Sequence, residues 1–357
     1  MNVFFAKRSE PHTTLGEALS GRDNALNAVR LFLALCVILS HSIVIGRYGG
    51  EGLPEWLTAT VGPLGSWAVR GFFAISGYLI IASRLHTSAP AYLWRRVLRI
   101  FPAYWVVLLV TAFVLAPISV LLLPGSEYRL ASGLAYLRGS FFLYQPAWEI
   151  EGTLRGLPQT AWNGSIWTLF YEFEAYLFTM VLFGFGWVRR RGVVISGACL
   201  ILAIVLFPLM VGPLDVSTNL YLNSVALASY FLAGVLIYFL RDWIPLRGWL
   251  LATSLGVTMM CVYVLPGAEQ YAQIPVALSV LLLGAMCRLA VGRVNDLSYG
   301  IYIYGFPMQQ VAVLLGADRY GYLAHVLVSV ALVLPCAAVS WWLVEKPSLS
   351  LKRLVPS

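Results

Sequence analysis

The 357-residue chain is 60% hydrophobic and only 11% charged, whereas an average soluble domain has roughly 25% charged residues. This composition excludes a soluble globular protein and predicts an all-α, polytopic membrane helical bundle of one domain. The net charge of +8 does not indicate a nucleic-acid partner, because the basic residues form short groups between apolar runs, where they set orientation in a bilayer. The five cysteines lie in or at the ends of apolar runs without metal-ligand spacing, so we predict neither a metal site nor a disulfide framework.

The first apolar run, residues 26–45, contains two ionisable residues, Arg30 and His41. Eleven residues at about 100° each bring a helix back to nearly the same direction, so both side chains share one face, about 16 Å apart along the axis. Ionisable groups inside membrane spans usually line a cavity or pathway. The alternative is a snorkelling Arg30 and a histidine hydrogen-bonded by a neighbouring helix. No small-residue cleavage site follows, which favours a retained span over a signal peptide.

Charge placement between the apolar runs predicts about ten crossings, with both termini cytoplasmic. Residues 124–163 contain an apolar run too short to cross, which we interpret as a re-entrant or interfacial element. We divide the chain into a cytoplasmic segment (1–25), a membrane domain (26–344) and a cytoplasmic tail (345–357). Of 24 Lys and Arg residues, 18 then lie inside and six outside, namely Arg47, Arg70, Arg129, Arg138, Arg155 and Arg319. The predicted crossings are 26–45, 67–83, 100–123, 164–185, 193–211, 222–240, 249–265, 274–290, 297–316 and 323–344.

A cluster of arginines follows the second crossing in the sequence YLWRRVLRIFPAYW. In a helix, Arg96 and Arg99 lie three residues apart and therefore on one side. The planar guanidinium group binds phosphate bidentately, so a cytoplasmic cluster at a membrane entrance suits a phosphate-bearing ligand. Inner loops also carry arginines for topology and for contact with anionic lipid, which is the alternative explanation.

Two glutamates, Glu172 and Glu174, lie inside the crossing that begins NGSIWTLFYEFEAYLF. They are about 200° apart around a helix, so only one of them can face a given cavity. By helical rise, Glu172 lies about 12 Å and His41 about 6 Å from the outer ends of their spans. We expect both to face a common cavity in the outer half of the membrane. The alternative for either glutamate is a buried neutral carboxyl group or a structural ion pair.

Three residues are weaker candidates for acceptor binding. Arg70 is an outer-side cation that suits an anionic acceptor or a lipid headgroup. Ser76 lies in GFFAISGYLI, whose small residues also allow close helix packing. Tyr302 lies in SYGIYIYGFPMQQ, where aromatic rings and amides suit sugar binding, although such rings more often serve packing and interfacial belts.

These motifs resemble, in the same order, those of the bacterial acyltransferase-3 family, membrane proteins that O-acylate exported carbohydrates with acyl-CoA donors. The resemblance implies that His41 is the essential histidine and Arg30 its partner. It also implies that Arg96 and Arg99 bind the donor, and that Glu172 is the first family glutamate. Gly305 stands where many members have histidine, which argues against a mechanism with a second histidine there. The matching motifs are Arg30 followed by His41, FFAISGYLI, RRVLRIFPAYW, WTLFYEFEAYL, and SYGIYIYGFP with a terminal VEKP.

The resemblance implies a multi-pass O-acyltransferase of the bacterial inner membrane. The expected reaction is transfer of an acyl group, acetyl in the first instance, from acyl-CoA to a hydroxyl of an exported or lipid-linked carbohydrate such as exopolysaccharide. In this hypothesis Arg30, Arg96 and Arg99 bind the CoA phosphates. His41 takes the proton of the acceptor hydroxyl, and Glu172 orients the imidazole. Acyl-CoA is a co-substrate, no permanently bound cofactor is expected, and a homo-oligomer is left open. The alternatives are a transporter or flippase of a glycan or lipid-linked sugar, and a non-catalytic partner of a glycan synthase.

Overall fold

The computed structural model describes residues 13–21, 23–46, 48, 52–144, 146–265, 267–287, 289, 291–292 and 295–355. The regular secondary structure across these ranges consists of helices, and Thr14 and Pro245 form an isolated β-bridge. Residues 1–12 of the predicted N-terminal segment, Arg47 of the predicted outer set and the last two residues of the tail lie outside the described residues. The helices are α1 (Leu15–Leu19), α2 (Leu26–Ile45), α3 (Glu55–Val61), α4 (Leu64–Leu85), α5 (Ala89–Val110), α6 (Ala116–Leu122), α7 (Leu130–Ser140), α8 (Thr168–Leu182), α9 (Gly186–Arg190), α10 (Gly192–Val211), α11 (Asn219–Leu240), α12 (Gly248–Tyr263), α13 (Gln273–Met286), α14 (Ser298–Leu314), α15 (Tyr322–Ser340) and α16 (Lys346–Ser350).

The apolar helices confirm a multi-pass membrane protein. Six stretches of the described chain are long and apolar enough to cross a bilayer: Leu26–Ile45, Glu55–Leu85, Ala89–Leu122, Gly192–Val211, Asn219–Leu240 and Tyr322–Leu354. The other four predicted crossings coincide with α8, α12, α13 and α14, which have 14 to 17 residues. These are shorter than the roughly 20 residues of a typical span. The number of ten crossings and the orientation of the termini therefore stay predictions.

The stretch interpreted as re-entrant or interfacial contains one short helix and an irregular segment. α7 has 11 residues, so it rises about 16 Å, or half of a hydrocarbon core of about 30 Å. Residues 141–167, of which all but Gln145 are described, form no long helix; we call them the irregular segment. Tyr104 on α5 donates a hydrogen bond to the carbonyl oxygen of Ser140 at 2.6 Å and so fixes its start.

The packing of the bundle is closest between α4 and α11. A Cβ atom at Gly77 would lie 2.0 Å from the carbonyl oxygen of Phe231, and one at Gly234 would lie 2.0 Å from the carbonyl oxygen of Ala74. Both glycines therefore allow direct backbone contact, which confirms the predicted packing role of small residues in GFFAISGYLI. α14 lies at the centre of the bundle, since every residue from Ser298 to Gln310 is buried.

Two long helices contain a π-helical turn. Thr111–Leu115 joins α5 to α6, and Trp341–Glu345 joins α15 to α16. Such turns are frequent at functional sites, because they redirect side chains that a regular helix would send elsewhere. The second turn holds Glu345 in the interior, where its carboxylate accepts a hydrogen bond from Ser340 at 3.0 Å. Beyond it, the predicted tail packs on α5, where the Trp94 indole donates to the carbonyl oxygen of Leu351 at 3.0 Å.

Candidate active site

A cavity of about 410 Å³ lies among α2, α4, α5, α8 and α14, and we call it the arginine cavity. Among the described residues, five basic side chains line it, whereas Glu172 is the one carboxylate in its lining. The predicted donor-binding arginines therefore meet in one place, as the sequence indicated. The basic lining residues are Arg30, Arg95, Arg96, Arg99 and Lys352.

Asp296, just before α14, bridges two of these arginines. Its Oδ2 atom accepts hydrogen bonds from Arg30 Nη1 at 2.8 Å and from Arg99 Nη2 at 2.6 Å. Its Oδ1 atom accepts from the backbone N–H and the hydroxyl of Ser298 in the first turn of α14. The second carboxylate near Arg99 is Glu345, at 4.0 Å. Sequence reasoning missed Asp296, although a lone acidic residue directly before a helix start was a usable signal.

The environment of Asp296 keeps it ionised. Burial alone would raise its pKa, but the guanidinium groups of Arg30 and Arg99 outweigh burial and hold the pKa well below its ordinary value. The Asp296 side chain is only 13% exposed, so these ion pairs are poorly screened by solvent.

Arg96 differs from Arg30 and Arg99 in its partners. Its guanidinium lies over the rings of Tyr92 and Tyr176, at 6.0 Å and 5.8 Å from their centroids. In the part of the chain that the structure describes, no carboxylate pairs with it. Because the charge of Arg96 is not neutralised by a neighbour, it can interact more strongly with an anionic ligand than Arg30 or Arg99 can.

Glu172 lies on the side of α8 that faces the arginine cavity. Its Oε1 atom accepts hydrogen bonds from the hydroxyl of Tyr176 and, at 3.4 Å, from that of Ser76. Glu174 instead faces α11, where it accepts a hydrogen bond from Ser224 at 2.9 Å. The prediction that only one of the two glutamates faces the cavity is confirmed.

His41 lies in a second cavity of about 590 Å³, which we call the histidine cavity. The end of α2, the irregular segment and Phe306 of α14 line it. Phe306 packs edge-on against the imidazole, with ring centroids 5.3 Å apart. Gly164 makes room for the Phe306 ring, because a Cβ atom at position 164 would lie 2.4 Å from the Cε2 atom of Phe306. Arg30 and His41 were predicted to share one face of α2, and they line different cavities.

A layer of hydrogen-bonded residues lies between the two cavities, so the prediction that His41 and Glu172 share one cavity is wrong. The Tyr302 hydroxyl donates to the carbonyl oxygen of Ser165 at 2.7 Å and lies 2.5 Å from the hydroxyl of Thr168. We call these three residues the Tyr302 septum. Tyr302 and Phe306 line different cavities yet are four residues apart, so the septum is about one helical turn, or roughly 6 Å, thick.

The three candidates for acceptor binding do not lie beside His41. Ser76 and Tyr302 line the arginine cavity. Arg70 lines a third, small cavity between α4, α10 and α11, where its guanidinium stacks 4.8 Å from the Trp67 ring. The predicted acceptor role of these residues stays a prediction, and their geometry gives it no support.

Replacing Asp296 by Asn should lower stability in a pH-dependent way. At pH 7 the change leaves two half-buried guanidinium groups short of a counter-charge, at a cost of about 3 kcal/mol. Because the native pKa is lowered, the contribution of the wild-type carboxylate is complete above an unfolded value of about 3.9 and is lost as the pH falls below it. Thermal unfolding in detergent between pH 7 and pH 3 measures this. The Glu127→Gln variant, which changes an exposed carboxylate, is the control. Parallel pH curves for wild type and Asp296→Asn would contradict the assignment.

Comparison with known proteins assigns the family. Residues 23–344 match the family described as "Acyltransferase domain", the acyltransferase-3 family. The chain is 28% identical to an "O-acetyl transferase" of Shigella phage Sf6 over 338 residues, covering 91% of this chain and 96% of the phage protein. It is 26% identical to "Nodulation protein 10" of Rhizobium leguminosarum bv. viciae over 366 residues, covering 94% and 96% of the two chains. No solved structure matches it significantly. With its helical, membrane-spanning architecture and a family match over nearly the whole chain, the protein belongs to the acyltransferase-3 family of membrane acyltransferases.

Proposed function

We propose that the protein transfers an acyl group, acetyl in the first instance, from acyl-CoA to a carbohydrate hydroxyl in the bacterial inner membrane. The observation that carries this proposal is that α2 and α14 line both cavities, so that the basic side chains of one cavity lie next to the cavity that holds the imidazole of His41. Similarity to a protein named O-acetyl transferase supports acetyl as the group transferred. The family supports an enzyme over the transporter or flippase alternative.

The arginine cavity is the proposed donor site. CoA carries several phosphate groups, and a cavity with five basic side chains and one lining carboxylate among the described residues attracts such an anion. In the predicted orientation this cavity faces the cytoplasm, where acyl-CoA is made. Arg96 makes the largest contribution in this proposal, while Arg30 and Arg99 share their charge with Asp296.

His41 is the proposed general base. The imidazole accepts the proton of the acceptor hydroxyl while the hydroxyl oxygen attacks the thioester carbonyl carbon. The new C–O bond forms as the C–S bond breaks, and the CoA thiolate then takes the proton from the imidazolium. The products are the carbohydrate ester and free CoA, and His41 returns to its starting state.

The proposed reaction requires the Tyr302 septum to open, because the donor and His41 otherwise occupy separate cavities. We propose that a rotation of Tyr302, with a small shift of the Ser165–Thr168 backbone, breaks the hydrogen bonds of the septum and joins the two cavities. Glu172, one turn from Thr168 on α8, then lines the passage for the acyl end of the donor. We propose that Glu172 is a positioning residue there, since its hydrogen bonds are with Tyr176 and Ser76.

The His41→Gln variant should lose transfer, since an amide cannot accept the acceptor proton. We expect the turnover number to fall by about 10²- to 10⁴-fold, the usual contribution of a general base. Membranes supplied with labelled acetyl-CoA and total glycan from a strain that lacks the gene give the measurement. His86→Gln changes an exposed histidine outside both cavities and serves as the control. Wild-type transfer by His41→Gln at normal abundance would reject the base assignment.

The Arg96→Gln variant should raise the KM for acetyl-CoA. Loss of a charge-assisted hydrogen bond costs about 1.5–3 kcal/mol, which corresponds to roughly a 10- to 100-fold increase. Initial rates at varied acetyl-CoA and fixed glycan give this value. Arg190→Gln removes an exposed arginine that lines neither cavity and should leave the KM unchanged. An unchanged KM in Arg96→Gln would count against phosphate binding in this cavity.

The Tyr302→Ala variant should join the two cavities permanently. Water from the histidine cavity then reaches the thioester, so acetyl-CoA hydrolysis without glycan should rise at least severalfold above wild type. Release of free thiol measures it. Tyr302→Phe keeps the ring in the septum and should hydrolyse at the wild-type rate, and adding His41→Ala to Tyr302→Ala should remove the excess. If Tyr302→Ala folds normally and shows no extra hydrolysis, the septum is not the barrier.

A further inference from the structure

We infer that the histidine cavity is the acceptor site and that it recognises an uncharged part of a carbohydrate, with Trp148 as the surface on which a sugar ring stacks. The inference rests on the proposed function, because it assigns the second substrate of the same reaction. None of the residues that the sequence singled out for acceptor binding lines this cavity.

The size and lining of the cavity suit a sugar. Its volume of about 590 Å³ falls within the range of roughly 300–1,000 Å³ that is usual for small-molecule sites. An indole ring offers a flat apolar face to the C–H groups of a sugar ring. Beside it, the Glu149 carboxylate accepts hydrogen bonds and the Gln159 amide both donates and accepts them. His41 completes the lining, so a hydroxyl of the bound sugar lies within the space that the general base faces.

Charge decides which part of a glycan fits. No lysine or arginine occurs among the described residues that line the histidine cavity, and Glu149 gives it a negative charge. A phosphate or carboxylate group placed there would be repelled and would lack a counter-ion. The two cavities therefore suit different ligands: the arginine cavity suits a polyanion, whereas the histidine cavity suits neutral hydroxyl groups.

The irregular segment is held in place for this role by hydrogen bonds rather than by helix geometry. The backbone N–H of Trp162, whose side chain is fully buried, donates to the carbonyl oxygen of Trp148 at 2.8 Å. The side-chain nitrogen of Gln310 on α14 donates to the carbonyl oxygens of Gln159 and Ala161, both at 2.8 Å. The first bond fixes Trp148 within the segment, and the two Gln310 bonds fix Gln159 and Ala161 relative to α14, which also carries Phe306. The site is thus formed before a ligand arrives, which reduces the entropy lost on binding.

A further hydrogen bond orients the carboxylate of Glu149. The Thr160 hydroxyl donates to Glu149 Oε1 at 2.6 Å, so this side chain is oriented by a neighbour from the same segment. Trp148 itself is 44% exposed, although the backbone around it is fixed. Because this side chain lies at the rim of the histidine cavity and is exposed, its removal should not unfold the protein.

The test varies the acceptor concentration. Total glycan from a strain that lacks the gene is titrated at saturating labelled acetyl-CoA, and acetyl-CoA is then titrated at saturating glycan. We expect Trp148→Ala to raise the glycan concentration for half-maximal rate at least about fivefold. The acetyl-CoA concentration for half-maximal rate should stay within about twofold of that of the wild type. Trp148→Phe keeps an aromatic face and should restore most of the glycan affinity.

Trp56→Ala is the matched control, since Trp56 is an exposed tryptophan on α3 that lines neither cavity. Glu149→Gln should also raise the glycan concentration for half-maximal rate, and it should leave the corresponding acetyl-CoA concentration unchanged. If wild type transfers label but Trp148→Ala and Glu149→Gln keep the wild-type glycan dependence, the acceptor site is overturned and the proposed function stands. If wild type transfers no label to glycan at all, the proposed function fails first. The inference would also be overturned if these two variants changed only the acetyl-CoA concentration for half-maximal rate.

Discussion

One carboxylate, Asp296, bridges two guanidinium groups, and the arrangement of the arginine cavity depends on it. Arg30 on α2 and Arg99 on α5 would repel each other strongly at this depth without a shared anion. Asp296 also bonds Ser298 at the first turn of α14, so a single side chain fixes three helices around the cavity. The same pairing lowers the positive charge that Arg30 and Arg99 present to a ligand, which leaves Arg96 as the more available cation.

Separate cavities address a problem that faces any enzyme working across a membrane. An open channel between the arginine cavity and the histidine cavity would let water reach the thioester and let protons cross the bilayer. In the proposed reaction, a closed septum of Ser165, Thr168 and Tyr302 would prevent both when substrates are absent. The separation is short because the two cavities meet at adjacent turns of α14. A small local change is therefore enough for the proposed transfer, and no rearrangement of the whole bundle is needed.

Much of this architecture was predictable from the sequence, because hydropathy and charge placement locate membrane helices. Helical geometry also predicted that the arginines cluster and that only one of Glu172 and Glu174 faces the cavity, whereas the choice of Glu172 came from the family resemblance. The shared cavity for His41 and Glu172 was wrong because helical rise gives a depth along each axis. It does not say which side chain of a third helix lies between two points at similar depth. Tyr302 was singled out for its aromatic ring, and its place in the septum depends on how α14 packs against the start of α8.

The residues around His41 were the hardest to predict. Trp148, Glu149 and Gln159 lie in an irregular segment, where no period links sequence position to direction. Asp296 was overlooked because an acidic residue between two apolar runs reads as an ordinary loop residue. Its role depends on partners 266 and 197 positions away in the chain.

The glycine contacts between α4 and α11 also determine where the protein can move. With backbone touching backbone at Gly77 and Gly234, these two helices are closely packed, and a side chain at either position would force them apart. α4 supplies one side of the arginine cavity, so the backbone of α11 supports that side directly. In the proposed reaction, the opening therefore belongs to the opposite side, where the irregular segment joins α8.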